Sequence, residues 1–286
     1  MRITLSLVSA AALVFAPITY ARAQDAGKNL ALEFRTTVMV QGAPDSGVIT
    51  GHAVGTSDKM RLDVTMKGAG AQVSPLASDS TVTMIVTDSG KTITYIDSKK
   101  SQYLRVRPAE MISQAQQMGG MKMDFTGTSA KVDSLGAGPA ILGHPTLHYR
   151  VVTGMTMTIS AMGQEQTAKI ASTSDTYYAT DIKGKLNPFA SLSGGDMANM
   201  FGSTNKEFAD KMKSVQQKLP KGVPLRVVSS AMIVSQGNTR ITNSSAEVTG
   251  LKWVDADPKA FEVPATYTAA QLPGMGGPSS GAIPPK

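Results

Sequence analysis

Between Gly143 and Ala161 apolar and polar residues alternate along the chain. Tyr149, Val151, Met155, Met157, Ile159 and Ala161 fall on odd positions, and Arg150, Thr156, Thr158 and Ser160 on even ones. A period of two predicts an extended strand with one apolar and one wet face. The length of the run predicts a bulge or bend, and Gly154 is its expected place. The same alternation recurs elsewhere. It places Leu30, Leu32, Phe34, Val38 and Val40 on one face of a strand, and Met60, Leu62, Val64 and Met66 on one face of another. Strands are also predicted over 48–54, 81–87, 92–97, 103–106, 167–179, 224–233 and 240–251, the last reached from Gln236-Gly237-Asn238. Short Gly-, Asp- and Ser-rich turns join most of them, as in antiparallel hairpins. The run Gly136 to Pro139 is predicted as the turn before the central strand.

Three stretches change period. Met111, Ile112, Ala115 and Met118 lie at helical spacing in a segment opened by Pro108 and ended by Gly119-Gly120. Asn187-Pro188 opens a second segment, in which Gly194-Gly195 interrupts Phe189, Leu192, Met197, Met200 and Phe201, so a broken helix is expected. Lys206 to Leu219 is the clearest. Phe208, Met212, Val215 and Leu219 form its stripe, and Pro220 stops it. Together these predict an α+β fold. One antiparallel sheet of roughly ten strands curls into a half-barrel, with helices packed on its concave face.

The ends carry a different pattern. Arg2, the apolar run Ile3 to Phe15 and the Ala21-Arg22-Ala23 site read as a signal peptide over 1–23, with Gln24 as the expected mature N-terminus. Residues 24–270 then form the folded domain. Residues 271–286, rich in Gly, Pro and Ser, read as a disordered tail. A periplasmic or secreted protein is expected. The chain has 0 cysteines, so no disulfide supports this fold in an oxidising compartment. Its formal charge of +7 falls to +5 without Arg2 and Arg22. The remaining basic residues are scattered, which argues against nucleic acid and suits a solvated surface able to make peripheral contact with anionic membrane.

Candidate chemistry is sparse. His144 and His148 are four apart, a chelating spacing on a helix, but on a strand they stand ~13 Å apart, too far for one metal. Methionine is abundant, at 17. Met118, Met121 and Met123 cluster, and Met155-Thr156-Met157 and Met197 to Met200 have spacings that thioether copper sites use. Most of these methionines also fit apolar stripes, where soft side chains pack a core or line a pocket for variable tails. Ser203-Thr204-Asn205-Lys206 matches S-x-x-K without its companion motifs and suits a helix cap. No cofactor or metal is expected.

Three stretches resemble the LolA-like half-barrel superfamily of periplasmic lipoprotein carriers and its uncharacterised exported relatives. They are Thr94-Tyr95-Ile96-Asp97 before a turn, Ile141-Leu142-Gly143-His144 running into Leu147-His148-Tyr149-Arg150-Val151, and Trp253 with Phe261-Glu262-Val263-Pro264. The resemblance implies a concave apolar sheet face under lid helices, able to hold an acyl chain, and no catalytic residues. The carriers' inner arginine has no match here. The expected function is a non-enzymatic binding protein for a lipid, acyl chain or other hydrophobic molecule. Phe34, Val38, Tyr149, Met155, Met157, Met197 and Phe201 are the expected lining. The alternatives are a structural or interaction protein of the cell envelope with a protein partner and no ligand, and methionine-based copper binding.

Overall fold

The computed structural model describes residues 28–42, 46–56, 59–67, 81–88, 91–107, 110, 121–161, 164–182 and 206–270. The signal-peptide and tail segments, the helical segment from Pro108 apart from Glu110, the segment from Asn187, and the candidates Met197 and Phe201 lie outside them.

Twelve strands form one open, curved sheet. In chain order they are β1 (Lys28–Val40), β2 (Gly47–Gly55), β3 (Met60–Lys67), β4 (Thr81–Thr87), β5 (Thr92–Asp97), β6 (Gln102–Val106), β7 (Met121–Ile141), β8 (His144–Ala161), β9 (Gln164–Ala179), β10 (Val223–Ser235), β11 (Asn238–Asp255) and β12 (Thr268–Ala269). Their spatial order is β12-β6-β5-β4-β3-β2-β1-β11-β10-β9-β8-β7. Two antiparallel meanders therefore meet where the first strand pairs with the eleventh. That junction is long, from Lys28↔Asp255 to Val40↔Thr242. The short β12 runs parallel to β6, so the sheet is mixed.

The described residues contain one α-helix, α1 (Lys206–Lys218). The fold is thus mostly β, and the expected α+β class with several helices is corrected to that extent. The pattern that betrayed α1 is also what docks it: Phe208, Met212 and Val215 recur every three or four residues and are all buried. Lys206 and Asp210, one turn apart, pair on its exposed side at 2.7 Å.

Two expectations about glycine are also corrected. Gly136 to Pro139 is not a turn but part of β7. The hairpin turn is Leu142-Gly143, both at positive φ (51° and 81°), as a two-residue connection requires. Gly154 does not bulge its own strand, since β8 pairs through it with Ala171 without a shift. The irregularity lies opposite, between Thr126 and Ser129 of β7, where Gly127 takes φ 60°. Further shifts follow at Ser134/Gly136 and Gly138/Ile141. Glycine freed from φ < 0 lets a strand absorb an extra residue as readily as it lets a chain reverse.

The outer face at the β4–β6 end is closed by the C-terminal segment. Asp257 caps one turn of 3-10 helix, Pro258–Phe261, by accepting the Lys259 N–H. Phe261 then packs on Ile85 and Ile96, with Val263 and Tyr267 beside it. Arg61 donates to the Ala260 carbonyl at 3.4 Å. It also grips Asp63 through two bonds of 2.8 and 3.0 Å, and Thr83 donates to the same carboxylate at 2.6 Å.

Candidate functional site

Residues paired across an antiparallel ladder share a face, so the registers sort every strand position. Phe34 pairs with Val248, and Val38 with Ser244. Ser244 pairs with Ser229, Ser229 with Ser174, and Ser174 with Val151. Tyr149, Met155 and Met157 follow Val151 at steps of two. Phe34, Val38, Tyr149, Met155 and Met157, the five candidates inside the described residues, therefore lie on one face. The same face carries α1, and we call it the inner face.

Large side chains occupy its two wings. Under β1–β4, Leu30, Leu32, Phe34, Leu62, Val64 and Val82 belong to the principal core cluster. Phe34 is 5 % exposed. A Cβ on Gly51 would lie 2.5 Å from its Cζ, so the far end of the ring occupies the space that a side chain there would need. The other wing lies under α1. Phe208 stacks on Phe125 with centroids 5.3 Å apart, and Met155 and Met157 pack against that pair and Met212. Val215 and Leu219 meet Val151 and Tyr178, with Tyr149 and Val132 at the margin.

Between the wings, Val248 on β11 and Val227 and Leu225 on β10 continue the principal cluster across one end of the sheet, and at the other end the floor is built from small side chains. Ser244, Ser229 and Ser174 stand side by side on β11, β10 and β9. Ala231, Ser172 and Thr153 form the neighbouring row. All six are buried. Ser229 and Ser244 share a hydrogen bond of 2.7 Å, as do Thr153 and Ser172. Ser174, Thr176 and Tyr178 differ. They project from one face of β9 and their hydroxyls are buried; Ser174 has no hydrogen-bond partner among the described residues, while the Thr176 hydroxyl interacts with the Tyr178 phenol and favours its ionised form. Burial pushes the Tyr178 phenol far above its ordinary range. Tyr149 meets its ring edge-on, with centroids 6.1 Å apart.

This hydroxyl row escaped the sequence analysis, although its signal was present. Ser172, Ser174 and Thr176 share parity with Ile170 and Tyr178, and Ser229 fills the gap between Val227 and Ala231. Searching alternation only for apolar residues passes over polar ones on the same face.

Ion pairs line the outer face of β8–β11. Arg150 grips Asp175 through bonds of 2.8 and 2.9 Å, and His148 lies 3.1 Å from the same carboxylate. The Arg150 bonds hold Asp175 below the usual carboxylate range against the opposing effect of burial, with His148 adding to them. His148 stacks on Tyr177 at 4.4 Å. His144 pairs instead with Asp181 at 2.9 Å. The two histidines thus serve separate aspartates. Among the described residues no group of three or more His, Cys, Asp or Glu side chains is placed to hold a metal.

An open mixed sheet with a partly hydroxylated inner face and one docked helix is the class of architecture these features define. No family model matches the chain, and no curated protein is similar to it in sequence. Among solved structures, PNGF-II aligns with TM-score 0.31 and 12% identity over 85% of this chain, which spans only 30% of that one. A domain from Vibrio parahaemolyticus assigned as an outer membrane lipoprotein-sorting protein aligns with TM-score 0.27 and 6% identity, covering 82% of this chain and 89% of that one. Among the described residues no helix is long and apolar enough to cross a membrane.

Proposed function

We propose that this is an exported, non-enzymatic binding protein that holds an acyl chain or similar hydrophobic molecule along the inner face, with α1 as part of the cover. One observation carries the reading: a floor of Ser, Ala and Thr lies between two wings of large apolar side chains. Layers packed on a sheet sit about 10 Å away; these side chains are short yet buried, so a cover lies over them and is displaced when the ligand enters. A chain laid there is desolvated on both flanks, gaining about 25 cal/mol per Å² of apolar surface. The Met155 and Met157 thioethers adapt to tails of different length. The leader sequence supports a periplasmic or secreted site of action, and the scattered positive charge supports contact with anionic membrane. Native mass spectrometry of the gently isolated protein tests the reading. Co-purifying lipid is expected; clean ligand-free masses together with no binding of an apolar dye would overturn it.

A second reading has its own support. Phe34 and Val38 are already covered, at 5 and 7 % exposure. An inner face filled throughout in this way would make the chain a structural or interaction protein of the cell envelope. Crosslinking in cells would then recover protein partners, and the dye would not bind.

A further inference from the structure

At the turn between β7 and β8 stands a residue that the fold alone does not explain. Leu142 takes φ 51°, left-handed backbone that a side chain with a Cβ adopts only at a cost. Among the described residues Asp88, Ser101 and Gln236 share that region, and all three are polar. Leu142 is also 46 % exposed, so burial does not offset the strain. Ile141 beside it is buried in the principal cluster, which makes Leu142 the apolar point of an anchored hairpin. A backbone outlier at an exposed apolar side chain directs attention to function.

The surroundings of the tip define what it meets. Pro139, Ala140, Gly143 and Pro145 are exposed around it, and no charged side chain occurs from Ser134 to Gly143. Both prolines lack an N–H, and the Pro139 carbonyl accepts a 2.7 Å hydrogen bond from the Thr146 hydroxyl. The tip therefore presents few of the unpaired backbone groups that an apolar medium penalises. Positive charge stands at the same end of the sheet. β8 and β10 both pair antiparallel with β9, so they begin at that end together. Lys218 and Lys221, just before β10, are exposed there. Asp181, next to the tip, is tied to His144 at 2.9 Å. An apolar point flanked by free-standing ammonium groups is complementary to a bilayer surface with anionic headgroups. The point enters the acyl boundary, and the lysines stay among the phosphates.

We propose that the β7–β8 hairpin tip docks the protein on an anionic lipid surface, with Leu142 entering the acyl boundary and Lys218 and Lys221 resting on the headgroups. This goes beyond the binding reading above and stands without it, since a chain that holds no ligand would dock equally. One small apolar tip and two lysines make a weak, reversible contact.

The test uses the processed protein and vesicles of phosphatidylcholine, with and without phosphatidylglycerol. Flotation should carry the protein with the anionic vesicles. Leu142→Asn is expected to weaken this partition about tenfold while leaving the melting temperature equal or higher, so that lost docking is not lost folding. Lys218→Gln and Lys221→Gln should each weaken it about fivefold on anionic vesicles and leave neutral vesicles unaffected. A direct readout of insertion is also open. The chain has 0 cysteines, so Leu142→Cys takes a single environment-sensitive fluorophore. Its emission should shift to the blue on anionic vesicles. The same dye on Asn238→Cys, where β11 begins at the opposite end of the sheet, should not shift. No flotation with either vesicle, flotation unchanged by Leu142→Asn, or equal shifts at the two labels overturns the proposal. A parent that sediments as a dimer and a Leu142→Asn variant that sediments as a monomer, with neither floating, assigns the tip to a second copy and overturns it as well.

Discussion

Replacing Gly51 with alanine asks how solidly one wing of the inner face is filled. The new Cβ would lie 2.5 Å from Cζ and 2.8 Å from Cε1 of Phe34, and 3.0 Å from Cγ1 of Val64. All are below the closest contact carbons tolerate, so the ring must lift by nearly an ångström from a site where it is 5 % exposed. Overpacking of this kind costs about 1–3 kcal/mol. Alanine returns roughly 0.5–1 kcal/mol by restricting the unfolded chain. The expected net loss is about 1–2 kcal/mol. At this size each kcal/mol lowers Tm by about 2–4 °C. Phe34→Leu opens the space and is itself destabilising, but in the double variant the clash is gone. The two losses should therefore fall short of additivity by about 1 kcal/mol. Urea unfolding followed through Trp253, the chain's only tryptophan, reports the change directly, since its side chain packs against this cluster. A Gly51→Ala protein as stable as the parent, or strict additivity with Phe34→Leu, would refute the packing described for this wing.

Three further outcomes follow from other parts of the molecule. Phe208→Ala removes the ring that anchors α1 on Phe125 and should cost about 3–5 kcal/mol; an unchanged urea midpoint would mean the helix is not docked there. Leu142→Asn places a residue suited to left-handed backbone at φ 51° and should stabilise by about 0.5–1 kcal/mol, because Leu142 is exposed and little burial is lost; differential scanning calorimetry reads the rise. Burial alone would raise the Asp63 pKa, but the Arg61 bonds, then Thr83, outweigh it and hold it low. A depressed carboxylate contributes stability above its unfolded pKa and loses it as pH falls through the folded one. The urea midpoint of the parent should therefore fall below about pH 4, and Asp63→Asn should flatten that fall; an identical acid profile in the variant would contradict it.

Much of the sheet was legible because half-buried strands advertise their period. Alternation over 30–40 and 60–67 places the same residues on the inner face as the registers do. The helix over 206–218 was equally plain, since Phe208, Met212 and Val215 mark a stripe that only a helix aligns. Glycine was less readable. Its positive φ serves a bulge at Gly136 and a turn at Gly143, and nothing local separates the two cases. Long-range pairing was invisible as well. The β1–β11 junction joins segments more than two hundred residues apart, and a single chain's periodicity carries no record of partners. Face assignment succeeded for the candidate site, because parity alone puts Tyr149, Met155 and Met157 together. What parity could not supply was the cover over Phe34 and Val38, or the meaning of serines sharing their face.

The twenty-one residues of β7 form a margin of the sheet, and margins are where foreign chains attach. Here the three register shifts set successive stretches of backbone amides out of phase, so a straight incoming strand can follow them for only a few residues before losing step. Lys122 and Lys131 stand exposed along this border, and Pro139 offers no N–H to recruit a partner. At the opposite margin the parallel β12 occupies β6 itself. Both borders are therefore poor templates for an incoming strand.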